Sequence, residues 1–537
     1  MKQRNVLILI VLLLASLSGG AWWKWGRTSS LEKARKSLDR GDPEVAVEIL
    51  LKRLDKGVPT EEADLRRELA RAFLMKGSYD NAESDLRELL EKHPDDFYGN
   101  LSLGFLFFSR GQDSFAVESL RKAKSLEPGD LRSSRALISL FNFRGDYSQA
   151  RGEALDLLNH SPDDPGGRMG LGRSDLGRGL FADAAQSFES VLAASPADKG
   201  ARESLVEALL SGGEFRRSEE ALAPLLKNSP DDPAALDLQA RFFHERAFID
   251  QEESLYRRIY EKDPRRLFAR IALARSLARR RETETAQTLL LDIAQNLPKL
   301  EDLPLPPYAS FYEPWENLEA RNAVRRLRAD FNLAMAEVYK SRYLLPDAER
   351  EVLLALQLFP RDVDALRTYT EIKRVGGDAE ERLKAARSAA DVFPEHPEIL
   401  LDLAQALLAV QRPSEALTYA QASAAACPAL SRAHAVLAEV RVALGDKKLA
   451  AESAAKALSL NDRDSGAFVA DGLAKAGRGE WKDAEAAFGR ALELDGFLAR
   501  AHWERARALK KLKKDPSAQA HREKAIELEP RVYAGRP

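Results

Sequence analysis

Prolines stand at Pro94, Pro128, Pro162, Pro196, Pro230, Pro264 and Pro298, each 34 residues after the last, and resume at Pro360, Pro394 and Pro428 with the same interval. The grid continues through Asp462 and Gly496, which lack the proline, to Pro530, which restores it. A period of this length confines a chain to a stack of small supersecondary units, none of which can bury its own apolar face. Seventeen residues before most grid points lies a glycine: Gly77, Gly111, Gly145, Gly179, Gly213, Gly445 and Gly479. Five residues after each glycine comes a small residue: Ala82, Ala116, Ala150, Ala184, Ser218, Ala450 and Ala484.

Each recurring residue has a mechanical role. The glycine can take the left-handed conformation that closes a helix, so it marks a turn inside the unit. The small residue lies near the start of a second helix, where two helices approach too closely for a larger side chain, and the proline ends that helix. Asp96, Asp130, Asp164, Asp198, Asp232 and Asp362 follow the grid points by two residues and suit the N-cap of the next unit. Apolar residues between these marks fall at helical spacing, as in Leu65, Leu69, Ala72 and Phe73. Every unit is expected to be helix, tight turn, helix, stop, which makes the chain all-α.

The pattern resembles the tetratricopeptide repeat family: Leu103-Gly104, Phe107, Ala116, Leu120, Ala123 and Pro128 match its 34-residue unit, as do Leu171-Gly172, Ala184, Phe188 and Pro196. The resemblance implies a right-handed superhelical α-solenoid of about 14 helix-turn-helix units whose first helices line a concave groove. It also implies a protein that binds other proteins through that groove. The asparagines with which some members clamp a partner's terminal carboxylate are absent: the corresponding pairs read Arg67 and Arg71, Leu101 and Phe105, Arg135 and Ser139.

Two segments depart from the period. Residues 1–27 carry Lys2 and Arg4, then an apolar run from Val6 to Ala15 and a Trp22-Trp23-Lys24-Trp25 cluster. This reads as a hydrophobic helix that is either an uncleaved membrane anchor, with tryptophans at the interface, or a cleaved signal peptide. The short basic head favours a body on the non-cytoplasmic, periplasmic side; positive-inside counting of Lys24, Arg27, Lys33, Arg35, Lys36 and Arg40 favours the cytoplasmic one. The second departure is the 62-residue interval from Pro298 to Pro360, one unit with an excess at 299–326. Its prolines exclude a repeat helix, and its Tyr308, Phe311, Tyr312 and Trp315 form either a hook offered to a partner or a strap over a seam between sub-arrays. The expected organisation is thus 1–27, an array of about eight units over 28–298, the insert 299–326, about six units over 327–530, and a tail 531–537.

Chemistry is hard to find in this chain. Lys+Arg 82 against Asp+Glu 84 excludes a strongly basic surface and argues against nucleic acid. The single cysteine, Cys427, forms no intramolecular disulfide, and the seven histidines are scattered with no HExxH. Gly172 to Gly179 is a poor phosphate loop, since Arg178 and Gly179 replace the required Lys and Ser/Thr. No cofactor, metal or catalytic residue is expected. Arg241, His244, Arg275 and Arg279 occupy groove-facing positions by resemblance, suited to acidic peptides or an anionic polysaccharide, although Glu245, Glu252 and Glu253 are close in sequence. The glycines Gly166, Gly167, Gly170, Gly172 and Gly177 within one first helix suggest a soft spot. The reading is a non-enzymatic, membrane-tethered scaffold for proteins of an assembly, secretion or envelope-polysaccharide apparatus. The alternative is direct binding of an anionic polysaccharide during export.

Overall fold

The computed structural model describes residues 29–57, 59–296 and 318–535. Among these residues there are 29 α-helices and no strand. Twenty-eight form fourteen consecutive pairs, from Ser30–Asp39 with Pro43–Leu54 to Ala499–Lys511 with Asp515–Leu528, and the short helix Pro530–Tyr533 follows.

The local rules hold at the marks with one exception, Asp130, whose carboxylate accepts the amide of Arg132, two residues on, at 2.9 Å. Gly77, Gly111, Gly145, Gly179, Gly213, Gly445 and Gly479 all have positive φ, between 70° and 85°. The carboxylates of Asp96, Asp164, Asp198, Asp232 and Asp362 accept the amide of the residue three further on, capping the first helix of each unit. Ala82, Ala116, Ala150, Ala184, Ala450 and Ala484 are completely buried, as is Ser218. The tight approach extends to the first helix, where Gly104, Gly172 and Gly472 share one phase of the repeat. A Cβ on these glycines would lie 2.7 Å from Leu120, 2.6 Å from Phe188 and 2.5 Å from Phe488. The second helix supplies the large side chain that fills the space a Cβ would take.

The chain divides into two compact units. The first holds the described residues up to Leu137 with the opening turn of helix Leu318–Ser341, to Asn322. Its core starts from Ala34, Leu38, Leu50, Leu65 and Leu69, and its helix Phe97–Ser109 is buried throughout except at Tyr98. The second unit holds the described residues from Ile138 to Asn296 and from Ala323 onward. There the core runs from one pair to the next, as in the cluster of Tyr256, Ile271, Leu277, Leu290 and Met335. Within the second unit, first helices of neighbouring pairs touch, as Lys199–Ser211 does Pro233–Glu245 and Pro397–Ala409 does Ser431–Ala443, whereas second helices of neighbouring pairs do not come comparably close. That difference bends the stack so that the first helices lie on its inner face.

Two expectations are corrected. The membrane-anchored location fails among the described residues, where no helix is long and apolar enough to cross a bilayer. The longest, Leu318–Ser341, carries Arg325, Arg326, Arg328, Asp330, Glu337 and Lys340. Residues 1–27, on which the anchor and the non-cytoplasmic placement rested, lie outside the described residues. The glycine-rich soft spot is also absent: Pro165–Arg178 is a continuous helix. A Cβ at Gly167, Gly170 or Gly177 would meet Leu157, Ile138 or Tyr147 at 2.7, 2.2 or 2.3 Å. These glycines admit close neighbours instead of loosening the helix.

Gly172→Ala should therefore lower stability by about 1–3 kcal/mol through overpacking against Phe188. Gly152→Ala, on an exposed helical position with nothing within 4 Å of its Cβ, should raise it by about 0.5–1 kcal/mol. Thermal melts followed by circular dichroism check both, and equal shifts of one sign would disprove the packing account.

Candidate functional site: a charge ladder on the inner face

One position recurs along the first helices at the repeat spacing: Glu207, Arg241, Arg275, Glu337, Glu371, Gln405 and Glu439. The step is 34 residues except across the insert, where it is 62. A helical residue and its equivalent one repeat later lie side by side on adjacent first helices, so opposite charges at this phase pair between units. Arg241 donates from Nη1 and Nη2 to Glu207 Oε1, both at 3.1 Å. Arg275 donates to Glu337 Oε1 from Nη2 at 2.8 Å and Nε at 3.1 Å.

The ladder continues one to three turns away towards the N-terminal ends of these helices, and onto a later first helix, Ala499–Lys511. Arg326 pairs with Asp362, which also caps helix Val363–Val375. Arg367 reaches Glu398 at 2.7 Å and Asp402 at 2.9 Å, and Arg432 holds the same two carboxylates from the other side. Arg500 closes on Glu439 at 2.8 Å. These cations are only partly covered: Arg241 and Arg500 keep 40% of their side-chain surface. Their carboxylate partners lie deeper, Glu337, Asp362, Glu398, Asp402 and Glu439 keeping 16% or less while Glu207 keeps 39%, so the ladder is accessible chiefly through its arginines.

The electrostatics follow from pairing against desolvation. Burial pushes the Glu337 carboxyl up, but Arg275 and Arg279 outweigh it and hold the group down at about 2. Glu371 is likewise held at about 2, burial being overcome by Arg374. Arg382 shows the reverse: it is buried, has a long 3.4 Å contact to Gln405, and is pushed down to about 10 by burial and by Arg374.

The sequence-derived candidates fall on this surface in part. Arg241 and Arg275 are ladder members, Arg279 pairs with Glu252 and lies 3.9 Å from Glu337, and the His244 Nδ1 is 3.2 Å from Glu252. None of the four is an uncommitted anion-binding group. Their partners Glu207 and Glu337 escaped the sequence reading because the acidic residues weighed there were near in sequence. The repeat phase, 34 residues before Arg241 and 62 after Arg275, is the signal that finds them. Tyr308, Phe311, Tyr312 and Trp315 lie outside the described residues.

Other reactive groups are quiet. Cys427 is buried and its thiol is pushed up to about 12 by that burial and by Glu398 and Glu214. His502 and His521 face each other with Nδ1 atoms 2.8 Å apart, an encounter across a helix pair that sequence separation hides. Among the described residues no three His, Cys, Asp or Glu side chains converge to hold a metal ion.

Comparison with known proteins fits the geometry. Residues 31–97, 67–130, 136–199 and 377–431 match one tetratricopeptide repeat family model, and 175–242 match a second. No curated protein matches the chain. Among solved structures, the crystal structure of the APC/C hetero-tetramer Cut9-Hcn1 is similar with a TM-score of 0.57 and 16% identity, covering 95% of this chain and 95% of that one. A tetratricopeptide repeat protein from Parabacteroides merdae ATCC 43184 gives a TM-score of 0.39 at 15% identity, covering 45% of this chain and 96% of its own.

The depressed carboxylates carry a pH dependence. Their folded pKa values lie below the unfolded value near 4.5, so their stabilisation is fully present above about pH 4.5 and is lost as the pH falls towards 2. Glu337→Gln should flatten that acid limb in melts between pH 5 and pH 2; an unchanged limb would show that the ladder does not carry it. The chain thus carries tetratricopeptide repeats over the residues those models match, and its described residues fold as an all-α helical solenoid of that kind, an architecture suited to protein–protein interaction.

Proposed function

We propose that the protein is a non-enzymatic scaffold whose inner face, over the second unit, binds an extended polypeptide segment carrying both acidic and basic residues. The ladder of Arg–carboxylate pairs, whose arginines stay partly exposed, supports this reading. A partner can exchange its own charges with such pairs one at a time, so the ladder trades existing ion pairs for new ones at little net desolvation cost. Adjacent helices pack about 8–10 Å apart. An extended chain advances about 3.3 Å per residue, so about every third residue of a bound strand meets the next first helix. Affinity then comes from length, which suits a chain that holds several segments of an assembly together.

An anionic polysaccharide is a poorer fit. Arg241, Arg275 and Arg279, which would have formed its cationic stripe, are each neutralised by a carboxylate of this chain. A polyanion would have to displace Glu207, Glu252 and Glu337 and then leave those acids facing it.

The test is site-specific photocrosslinking in cells, with benzoylphenylalanine at Gln405 on the inner face or at Leu353, an exposed position on a second helix. Crosslinks should form from Gln405 and map to one mixed-charge segment of a protein. A synthetic peptide of that segment should bind the full chain and lose at least about tenfold in affinity with Arg367→Glu. Protein crosslinks confined to Leu353, or a peptide indifferent to Arg367→Glu, would refute the inner-face reading.

A further inference from the structure

Within the second unit, the turns inside one set of repeats touch the loops between repeats of a later set, and they do so in register. Arg178 pairs with Glu395, Arg246 with Asp462, and Asn461 Nδ2 donates to Glu245 O at 3.1 Å. The partners in these contacts are 216 or 217 residues apart. Tyr343 Oη accepts from the Arg531 amide at 3.2 Å over 188 residues, a separation shorter by the excess of the insert. Each of these steps spans about five and a half repeats, while Arg374 reaches Glu529 at 2.7 Å across 155 residues, about four and a half. The second unit therefore completes one superhelical turn and closes on itself along a seam.

The seam explains a distinction among glycines that the repeat treats alike. Gly145, Gly179 and Gly213 adopt positive φ and also abut the opposing loop. A Cβ would lie 2.7 Å from Arg361 O, 2.4 Å from Pro397 Cδ and 2.6 Å from Ala429 O respectively. Gly445 and Gly479 occupy the same turn with the same φ, and nothing lies within 4 Å of a Cβ there. In the next row the turn residue is Ala247, at φ 52°. Its carbonyl and that of Arg246 accept from Arg463 Nη2 and Nε, at 3.1 and 3.0 Å, while the guanidinium stacks 4.2 Å from the centroid of Phe248.

The seam is discontinuous. It is made of turns and loops joined by partly exposed ion pairs, backbone acceptors and a few largely buried ring contacts, Phe143 with Phe359 at 5.2 Å, Tyr147 with Phe393 at 6.0 Å and Phe181 with His396 at 5.8 Å. These contacts are separate from one another, in contrast to the continuous apolar core between neighbouring repeats. A stack of repeats bends through small changes at each interface, so these cross-turn contacts are the ones that an opening motion breaks first.

We propose that the seam is a latch at the edge of the groove: closed, it turns the groove of the second unit into a channel that excludes folded domains, and its opening admits the extended segment. The proposal rests on the inner-face reading above, but its test needs no partner, so the two can fail separately. Full-length protein carrying Gln405→Cys is treated with N-ethylmaleimide or with a bulky polymer-tagged maleimide. Cys427 is buried and serves as the internal control.

The small reagent should react readily and the bulky one slowly. Gly213→Val, which forces a side chain into the opposing loop, should raise the bulky reagent's rate about tenfold or more and increase the radius of gyration in solution scattering. Gly479→Val imposes the same backbone strain away from the seam and should change neither. Arg463→Ala, which removes two carbonyl contacts without adding bulk, should give an intermediate rate and decides the matter if Gly213→Val does not fold. If the bulky reagent is as fast without a seam substitution as with one, or if Gly479→Val accelerates it equally, the latch is wrong.

Discussion

The structure depends on how closely the two helices of each repeat approach. At the phase shared by Gly104, Gly172 and Gly472 a Cβ would collide with the second helix. Most equivalent positions are small and buried to 1% exposure or less, as Ala70, Ala240, Ala274, Ala336, Ala404 and Ala438 are, while Ile138, Val206 and Thr370 put a branched side chain there. Opposite them the second helix offers another small, fully buried residue such as Ala116 or Ala184. Helices brought this close form a wedge whose apolar faces still point outward, and only the next wedge can cover them. The stack follows from that geometry, as does its curvature, since the first helices touch their neighbours while the second helices spread.

Curvature in turn sets where polar chemistry can go. Side chains on the inner face crowd together at the repeat spacing, so like charges at one phase would repel along the whole array. Like neighbours do occur, Arg241 beside Arg275 and Glu337 beside Glu371, and each is offset by an opposite charge: Glu207 on Arg241, Arg275 on Glu337, Arg374 on Glu371, with Arg367 and Arg432 on either side of Glu398 and Asp402. The near-equality of acids and bases in the sequence is thus a local fact as well as a global one. A surface that satisfies its own charges has no strong preference for a polyanion, and it selects by pattern and length more than by net charge.

Much of this was legible in the sequence because the repeat is written in residues whose roles are steric. The proline grid, the turn glycines, the small residue five positions later and the capping aspartates each specify a local conformation, and apart from Asp130 each is found in it. The glycines of helix Pro165–Arg178 misled because propensity measures the cost of a residue in an isolated helix, whereas Ile138, Tyr147, Leu157 and Phe188 are what fill the vacant space. The candidate site was half legible. Arginines stood out at groove positions, but their partners lie a full repeat away, and a reading that weighs nearby acids cannot see them. The seam was invisible, because it joins residues about five and a half repeats apart and depends on the pitch of the stack.

That dependence has a consequence for how the array could respond to a ligand. Small rotations at each interface between repeats accumulate along the chain, so a change in pitch too slight to disturb any one core shifts the turn at Gly213 relative to Ala429 by the sum of several such rotations. The local cores resist change because they are close-packed, with residues such as Phe108, Phe188 and Phe488 fully buried. The seam resists it through a few ring contacts, such as Tyr147 on Phe393, and through ion pairs and backbone contacts that water can replace. A segment bound across several first helices fixes their spacing and therefore the pitch, so occupancy of the inner face and closure of the seam are thermodynamically linked whichever comes first. The turns at Gly145, Gly179 and Gly213 carry that linkage, because they fit the opposing loops at one pitch alone, and the matching turns at Gly445 and Gly479, with open space around them, do not.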